Sequence, residues 1–296
     1  MTTHQANNIS IVTTYGDYFH DRAVYTIKTL PKPVRWYVDS IEYAEKLKQK
    51  HSLDVEIVLG QWTIKDRVNP RETTARNRGV SMVVFAMHHL IKENKYSKAV
   101  AVDSDIQNLG GIEELFELDA SYLVMCSNSG AFQDIHETKS PSTYGINGGV
   151  YLFNLDELRK DIPCCYDSRD FITDEHYFNQ LNYDEFVYPT LTEYKGGRTL
   201  SNRVGRFSNI YNFCIHDGYI DQSRDTRPRQ TAIKLLKKAK IIHYMGEKHD
   251  RAKILKSRFD EFYKDFEFRE HNEKIELDDN LNQEDRFFMT LNMNPE

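Results

Sequence analysis

Apolar residues in this chain cluster in short runs separated by polar stretches with helical spacing. Ile9 to Thr14 (ISIVTT) is a β-branched run that stops at Tyr15-Gly16-Asp17, which predicts a buried strand followed by a loop. Val34 to Val38 (VRWYV) and Val55 to Leu59 (VEIVL) have the same character. Between them, Ile41, Ala44 and Leu47 share one face of IEYAEKLKQK, the spacing of an amphipathic helix. Strand, helix and strand at these intervals predict a βαβ unit in a largely parallel sheet. The clearest helix is expected over Arg76 to Ile91. There Val80, Val83, Val84, Met87, Leu90 and Ile91 form one apolar stripe, which suits packing against a core. Ala99 to Val102 is the next expected strand.

Beyond Ser121 the pattern changes. SYLVMC and GVYLFNL read as strands, but their connections are longer and richer in Ser, Asn and Gly, so the sheet is expected to become mixed. Helices are expected over Asp174 to Leu181 and Thr231 to Lys240, with a strand at Lys240 to Tyr244 (KIIHY). Ile254, Phe259, Phe262 and Phe266 follow at helical spacing.

Composition narrows the partners. A net charge of −6 argues against nucleic acid, which favours a basic surface. Four cysteines without a C-x-x-C pair offer no disulfide framework, and a reducing compartment is the simplest setting. The opening MTTHQANNIS has no basic and apolar leader, and no apolar run approaches the roughly 18 residues that cross a bilayer. The expectation is a cytoplasmic protein with no membrane span.

Candidate chemistry begins in AVAVDSDIQNLGG (Ala99 to Gly111), where Asp103 and Asp105 follow an apolar run directly. In an extended segment the two would face one way and Ser104 the other. Two such carboxylates about 4 Å apart repel by on the order of 4 kcal/mol at an effective dielectric near 20. Either the loop is open to water or a hard divalent cation sits between them. Their position favours the cation, because ligands of open α/β sheets bind at the carboxyl ends of the strands.

With that strand in view, the chain resembles the GT-A-fold nucleotide-sugar glycosyltransferases, and within them the glycogenin-like retaining group, glycosyltransferase family 8. INGGVYLFNLDELR (Ile146 to Arg159), TDEHYFNQL (Thr173 to Leu181) and IIHYMGEKHD (Ile241 to Asp250) are similar to three further segments of that family, in the family's order. The resemblance implies a single GT-A-like α/β domain over 1–270. Its mixed, mainly parallel sheet would be flanked by helices and followed by a C-terminal helical segment. A nucleotide-binding half would cover about 1–120 and an acceptor and sugar half about 121–250, with an acidic tail at 271–296.

It also implies roles. Asp103, Asp105 and His243 would hold Mn²⁺ or Mg²⁺, with Mn²⁺ the better match to a nitrogen ligand. Asp103 and Ser104 would also meet the nucleotide. Thr13, Thr14 and Tyr15 would hold a uracil ring, although residues of these types favour strands in any case. Gly246 and Lys248 would face the diphosphate. In this loop the lysine comes one position early, and His249-Asp250 stands where the family has Pro-Trp. Arg76 and Arg78 would reach the diphosphate or the sugar; as surface residues at a helix start they would need no ligand. Asn147, with Gly148 and Gly149, would wall the sugar pocket. Asp174 would bind sugar hydroxyls, and Glu175, where the family often has glutamine, would stand beside the anomeric carbon. A helix N-terminus favours acids anyway.

The implied activity is metal-dependent transfer of a hexose from a UDP-sugar to an acceptor, with retention. Two other readings remain at this level: a catalytically impaired sugar-nucleotide binder, and a sugar-nucleotide nucleotidyltransferase. The latter normally wants a glycine-rich loop after the first strand, where only Gly16 stands.

Overall fold

A computed structural model of the protein describes residues 7–60, 75–118, 122–128, 146–161, 174, 178, 204–214, 227–244 and 254–268. The first half follows the expected alternation: β1 (Asn8–Thr13), α1 (Asp17–Ile27), β2 (Val34–Val38), α2 (Ile41–His51), β3 (Glu56–Leu59), α3 (Ala75–Glu93) and β4 (Lys98–Val102). Then come β5 (Ile106–Asn108), α4 (Gly111–Phe116), β6 (Val124–Asn128), β7 (Ile146–Asn154) and α5 (Leu155–Asp161). Among the described residues the chain ends with β8 (Val204–Arg206), a 3-10 turn (Asn209–Tyr211), β9 (Phe213–Cys214), α6 (Arg227–Leu236), β10 (Ile241–His243) and α7 (Lys256–Phe262).

Seven strands form one sheet in the order β3-β2-β1-β4-β7-β6-β8. β1 pairs in parallel with both β2 and β4, and β7 runs antiparallel to β4 and β6. The sheet is therefore mixed and mainly parallel, and it turns mixed where the sequence pattern breaks. A second sheet holds β5, β10 and β9. Its register sets His243 opposite Ile106, so the histidine lies one residue from Asp105 across the ladder.

Local chemistry explains the boundaries. Ser40 caps α2, accepting from the Tyr43 amide, and the helix ends at Ser52 in a left-handed conformation. The stripe of α3 lies on one face of the large sheet with Ile9, Ala101 and Phe153; α1, α2 and α4 cover the other face around Trp36, Val100 and Leu152. Each such fully buried aliphatic or aromatic side chain contributes about 1.5–3 kcal/mol, enough to hold several polar residues inside the same layers.

The loop expected from Tyr15-Gly16-Asp17 is short: α1 starts at Asp17, one residue after Gly16, whose φ of 84° the absence of a side chain permits. Two expectations need correction. Asp103 to Asp105 is a turn between β4 and β5 and not an extended segment. The helix expected over Thr231 to Lys240 begins earlier, at Arg227, and ends at Leu236.

Candidate metal and nucleotide site

The site lies where β1 and β4, neighbours in the centre of the sheet, both release their chains at their carboxyl ends. β1 goes out through Thr13 to α1, and β4 through Asp103 into the turn. The turn is held from three directions. Asp103 donates its amide to the Gly149 carbonyl of β7 at 3.0 Å, and Tyr244 donates its amide to the Asp105 carbonyl at 2.9 Å. From α1, the Thr26 hydroxyl donates to the Ser104 carbonyl at 2.9 Å and accepts from the Ile106 amide at 3.1 Å.

This turn brings together the three residues expected to bind metal. His243 Nε2 lies 3.2 Å from Asp105 Oδ1 and 3.7 Å from Asp103 Oδ2, and one ligand atom from each residue falls within 4.8 Å of the others. Two ligands about 2.1 Å from one octahedral ion stand about 3 Å apart when adjacent. The two spacings from His243 are close to that, and the third pair lies within 4.8 Å. Two carboxylates and an imidazole also form a donor set that accepts Mn²⁺, so the residues present fit the metal. His243 and Asp105 are buried, whereas the Asp103 side chain keeps 31% exposure. The open side of the group is the Asp103 side.

Two glycine-dependent features set this geometry. Gly149 has φ +109°, and a Cβ there would lie 2.4 Å from His243 Cε1 and 2.5 Å from Nδ1. The space cleared by this glycine, expected to face a sugar, is filled by the imidazole. At Gly16 the amide donates to Asp39 Oδ1 at 2.9 Å, tying the β1 exit to the end of β2.

The expected site residues separate as follows. Thr14 is buried and its hydroxyl accepts from the Trp36 indole at 2.8 Å, so that oxygen braces β2. Thr13 is buried at the strand end, and Tyr15 packs against the α3 side of the core. The Ser104 side chain is also buried. Asn147 is buried and accepts from Asn212 Nδ2 at 2.7 Å. Asp174 is helical, buried and accepts from the Tyr151 hydroxyl at 2.8 Å, which ties it to β7. Arg76 and Arg78 lie in the first turns of α3. Glu175, Gly246 and Lys248 lie outside the described residues.

Sequence reasoning missed Arg22, Thr26 and Asn212. Arg22, on the buried face of α1, places Nη2 3.3 Å from Asp105 Oδ2. Its guanidinium lies over the rings of Tyr18 and Tyr263, 5.9 and 5.6 Å from their centroids. Burial opposes its charge, but Tyr263, Asp105 and Tyr18 favour it more, and the balance holds its pKa above the ordinary value. Asp105 thus lies between a permanent cation and the imidazole. A polar position on the inward face of DYFHDRAVYTI was the signal available for Arg22 and Thr26. For Asn212 no local signal existed, because its partners are 31 to 85 residues away in sequence.

No curated protein matches the sequence significantly. Among solved structures, an active-site mutant of LgtC aligns at 18% identity over 87% of this chain and 95% of its own, with a TM-score of 0.48. The glycosyltransferase GlyE of Streptococcus pneumoniae TIGR4 aligns at 14% identity over 82% of this chain and 56% of its own, with a TM-score of 0.47. A glycosyltransferase involved in glycosylation of the PBCV-1 major capsid aligns at 14% identity over 85% and 99%, with a TM-score of 0.41. The model of the family Glycosyl transferase family 8 matches residues 4–249, a span that contains every residue of the site. The chain belongs to glycosyl transferase family 8 and is a glycosyltransferase of the GT-A fold.

Proposed function

We propose that this glycosyltransferase moves a hexose from a UDP-sugar to an acceptor hydroxyl with retention at the anomeric carbon, and that it needs Mn²⁺. The observation that carries the metal is the convergence of Asp103, Asp105 and His243 at spacings suited to one ion. Mn²⁺ held there would supply Lewis-acid stabilisation to a departing diphosphate, a contribution of several kcal/mol to the transition state. Family membership sets aside the nucleotidyltransferase reading.

The chain's own residues then have distinct tasks. Asp103, on the exposed side of the group, meets both the ion and the nucleotide. Thr13 and Tyr15 frame the base at the end of β1, with Thr14 bracing the strand against Trp36. Asn147 and Asp174, both buried and both anchored to β7 or its neighbours, orient the sugar hydroxyls. Glu175 would serve beside the anomeric carbon, where a carboxylate supports positive charge better than an amide. Lys248 and an arginine at the start of α3 share the charge of the leaving group. In transfer with retention, the acceptor oxygen bonds to the anomeric carbon as the bond to the phosphate oxygen breaks. That oxygen keeps the electron pair and takes the acceptor proton on the same face.

The test is a panel of UDP- and GDP-hexoses incubated with the protein, with and without Mn²⁺, and the freed sugar followed by NMR. Mn²⁺-dependent release from a UDP-hexose, with the donor's anomeric configuration in the first product, is the expected result. Release from GDP-hexoses alone, or inversion, would overturn the donor or the stereochemistry respectively.

A further inference from the structure

His243 and Asn147 meet on one side chain that neither of their motifs contains. Asn212 follows the 3-10 turn and leads into β9, and it is 1% exposed. Its Oδ1 lies 3.1 Å from His243 Nδ1. Its Nδ2 donates to Asn147 Oδ1 at 2.7 Å and to Ser127 Oγ at 2.8 Å. One carboxamide therefore uses both donor hydrogens and its acceptor on three residues from three different strands.

The backbone around it is fixed. Asn212 donates its amide to Asn209, Lys240 donates to Ile210, and β9 pairs in parallel with β10 so that Cys214 sits beside His243.

Resting on the reading that Asp103, Asp105 and His243 hold Mn²⁺, we propose that Asn212 is a positioning residue that joins the metal site to the sugar site. The logic is that of donors and acceptors. An ion on His243 Nε2 requires the ring proton on Nδ1. A protonated Nδ1 requires an acceptor, which is Asn212 Oδ1. With Oδ1 turned to the histidine, both Nδ2 hydrogens must point at Ser127 and Asn147. Asn147 then accepts through Oδ1, and its own Nδ2 would be the group that meets a donor-sugar hydroxyl. Loading of the metal and orientation of Asn147 become one event, because reversing either amide would set two acceptors or two donors face to face.

The experiment measures affinity for Mn²⁺ alone, without nucleotide, in wild type, Asn212→Leu and Asn212→Asp, alongside metal-free thermal melting. Asn212→Leu removes the acceptor, and a 10- to 100-fold loss of Mn²⁺ affinity is expected. Asn212→Asp keeps an acceptor for Nδ1–H and loses only the donors, so its Mn²⁺ affinity should equal or exceed that of wild type. If Asn212→Leu does not fold, Asn212→Gln displaces the amide by one methylene and should show the same loss. Wild-type affinity in the Leu or Gln variant would overturn the inference. So would equal loss in the Leu and Asp variants, which is what a role confined to packing produces. Absence of Mn²⁺ binding by wild type would instead overturn the metal reading beneath it, and the inference would fall with it.

Discussion

Gly149 and His243 compete for one volume, and the outcome decides whether Asp103, Asp105 and His243 can come together. Alanine at position 149 would take a positive φ, a cost of about 1–2 kcal/mol, and its Cβ would enter the imidazole. Gly149→Ala should therefore lower the melting temperature and abolish Mn²⁺ binding together, read by thermal melting and metal titration on the same sample. The two aspartates should behave differently from each other. Asp105→Ala leaves Arg22 buried without its carboxylate, and breaking a buried pair in this way costs about 3–5 kcal/mol. Asp103 is more exposed and is not the carboxylate that Arg22 meets, so Asp103→Asn should stay within about 1 kcal/mol of wild type. Chemical denaturation of the two variants measures that contrast. It also makes Asp103→Asn the variant in which lost ligand binding is not confused with lost fold.

At the scale of elements, α1 is the strut of the site although its sequence carried no helix expectation. Its inward face carries His20, Arg22 and Thr26 among Ala23, Val24 and Ile27, so a search for apolar periodicity passes over it. Thr26→Val keeps the shape and removes both the donor to Ser104 and the acceptor for Ile106. The expected loss is about 1–3 kcal/mol, seen as a lower denaturation midpoint, with weaker Mn²⁺ binding as the turn loosens. The strands β5, β8 and β9 are two or three residues long, and their identity comes from pairing partners and not from propensity. By contrast α3 and the strands β1, β2 and β4 were legible, because each buries a continuous apolar face. α3 also carries a pH response. Burial, with Lys92 adding to it, pushes His88 from its ordinary 6.5 down to about 4. The unfolded chain therefore binds the proton that the folded chain refuses between those values. Stability should be full above about pH 6.5 and decline as pH falls towards 4, by on the order of 1–2 kcal/mol after discounting for a half-buried ring. His88→Gln should flatten that slope in melting curves recorded across the range.

At the scale of the molecule, two sheets meet at the group of Asp103, Asp105 and His243. The large sheet delivers the turn from β4, and the small sheet delivers the histidine from β10. The aspartate pair and the histidine segment were visible in sequence as separate motifs, and the resemblance joined them. The parts that no motif revealed are the ones that hold the motifs still: Arg22 against Asp105, Thr26 against the turn, Asn212 between His243 and Asn147. Such residues are chosen by distances in space, and a linear pattern has no term for them. The proposed function requires that a metal held by Asp103, Asp105 and His243 bind the nucleotide. The most direct measurement is calorimetric titration of UDP into wild type and Asp103→Asn, each with and without Mn²⁺. The account predicts that wild type binds UDP only when Mn²⁺ is present, and that Asp103→Asn binds at least 10-fold more weakly under the same conditions. UDP affinity that is the same without the metal, or unchanged in the variant, would contradict it.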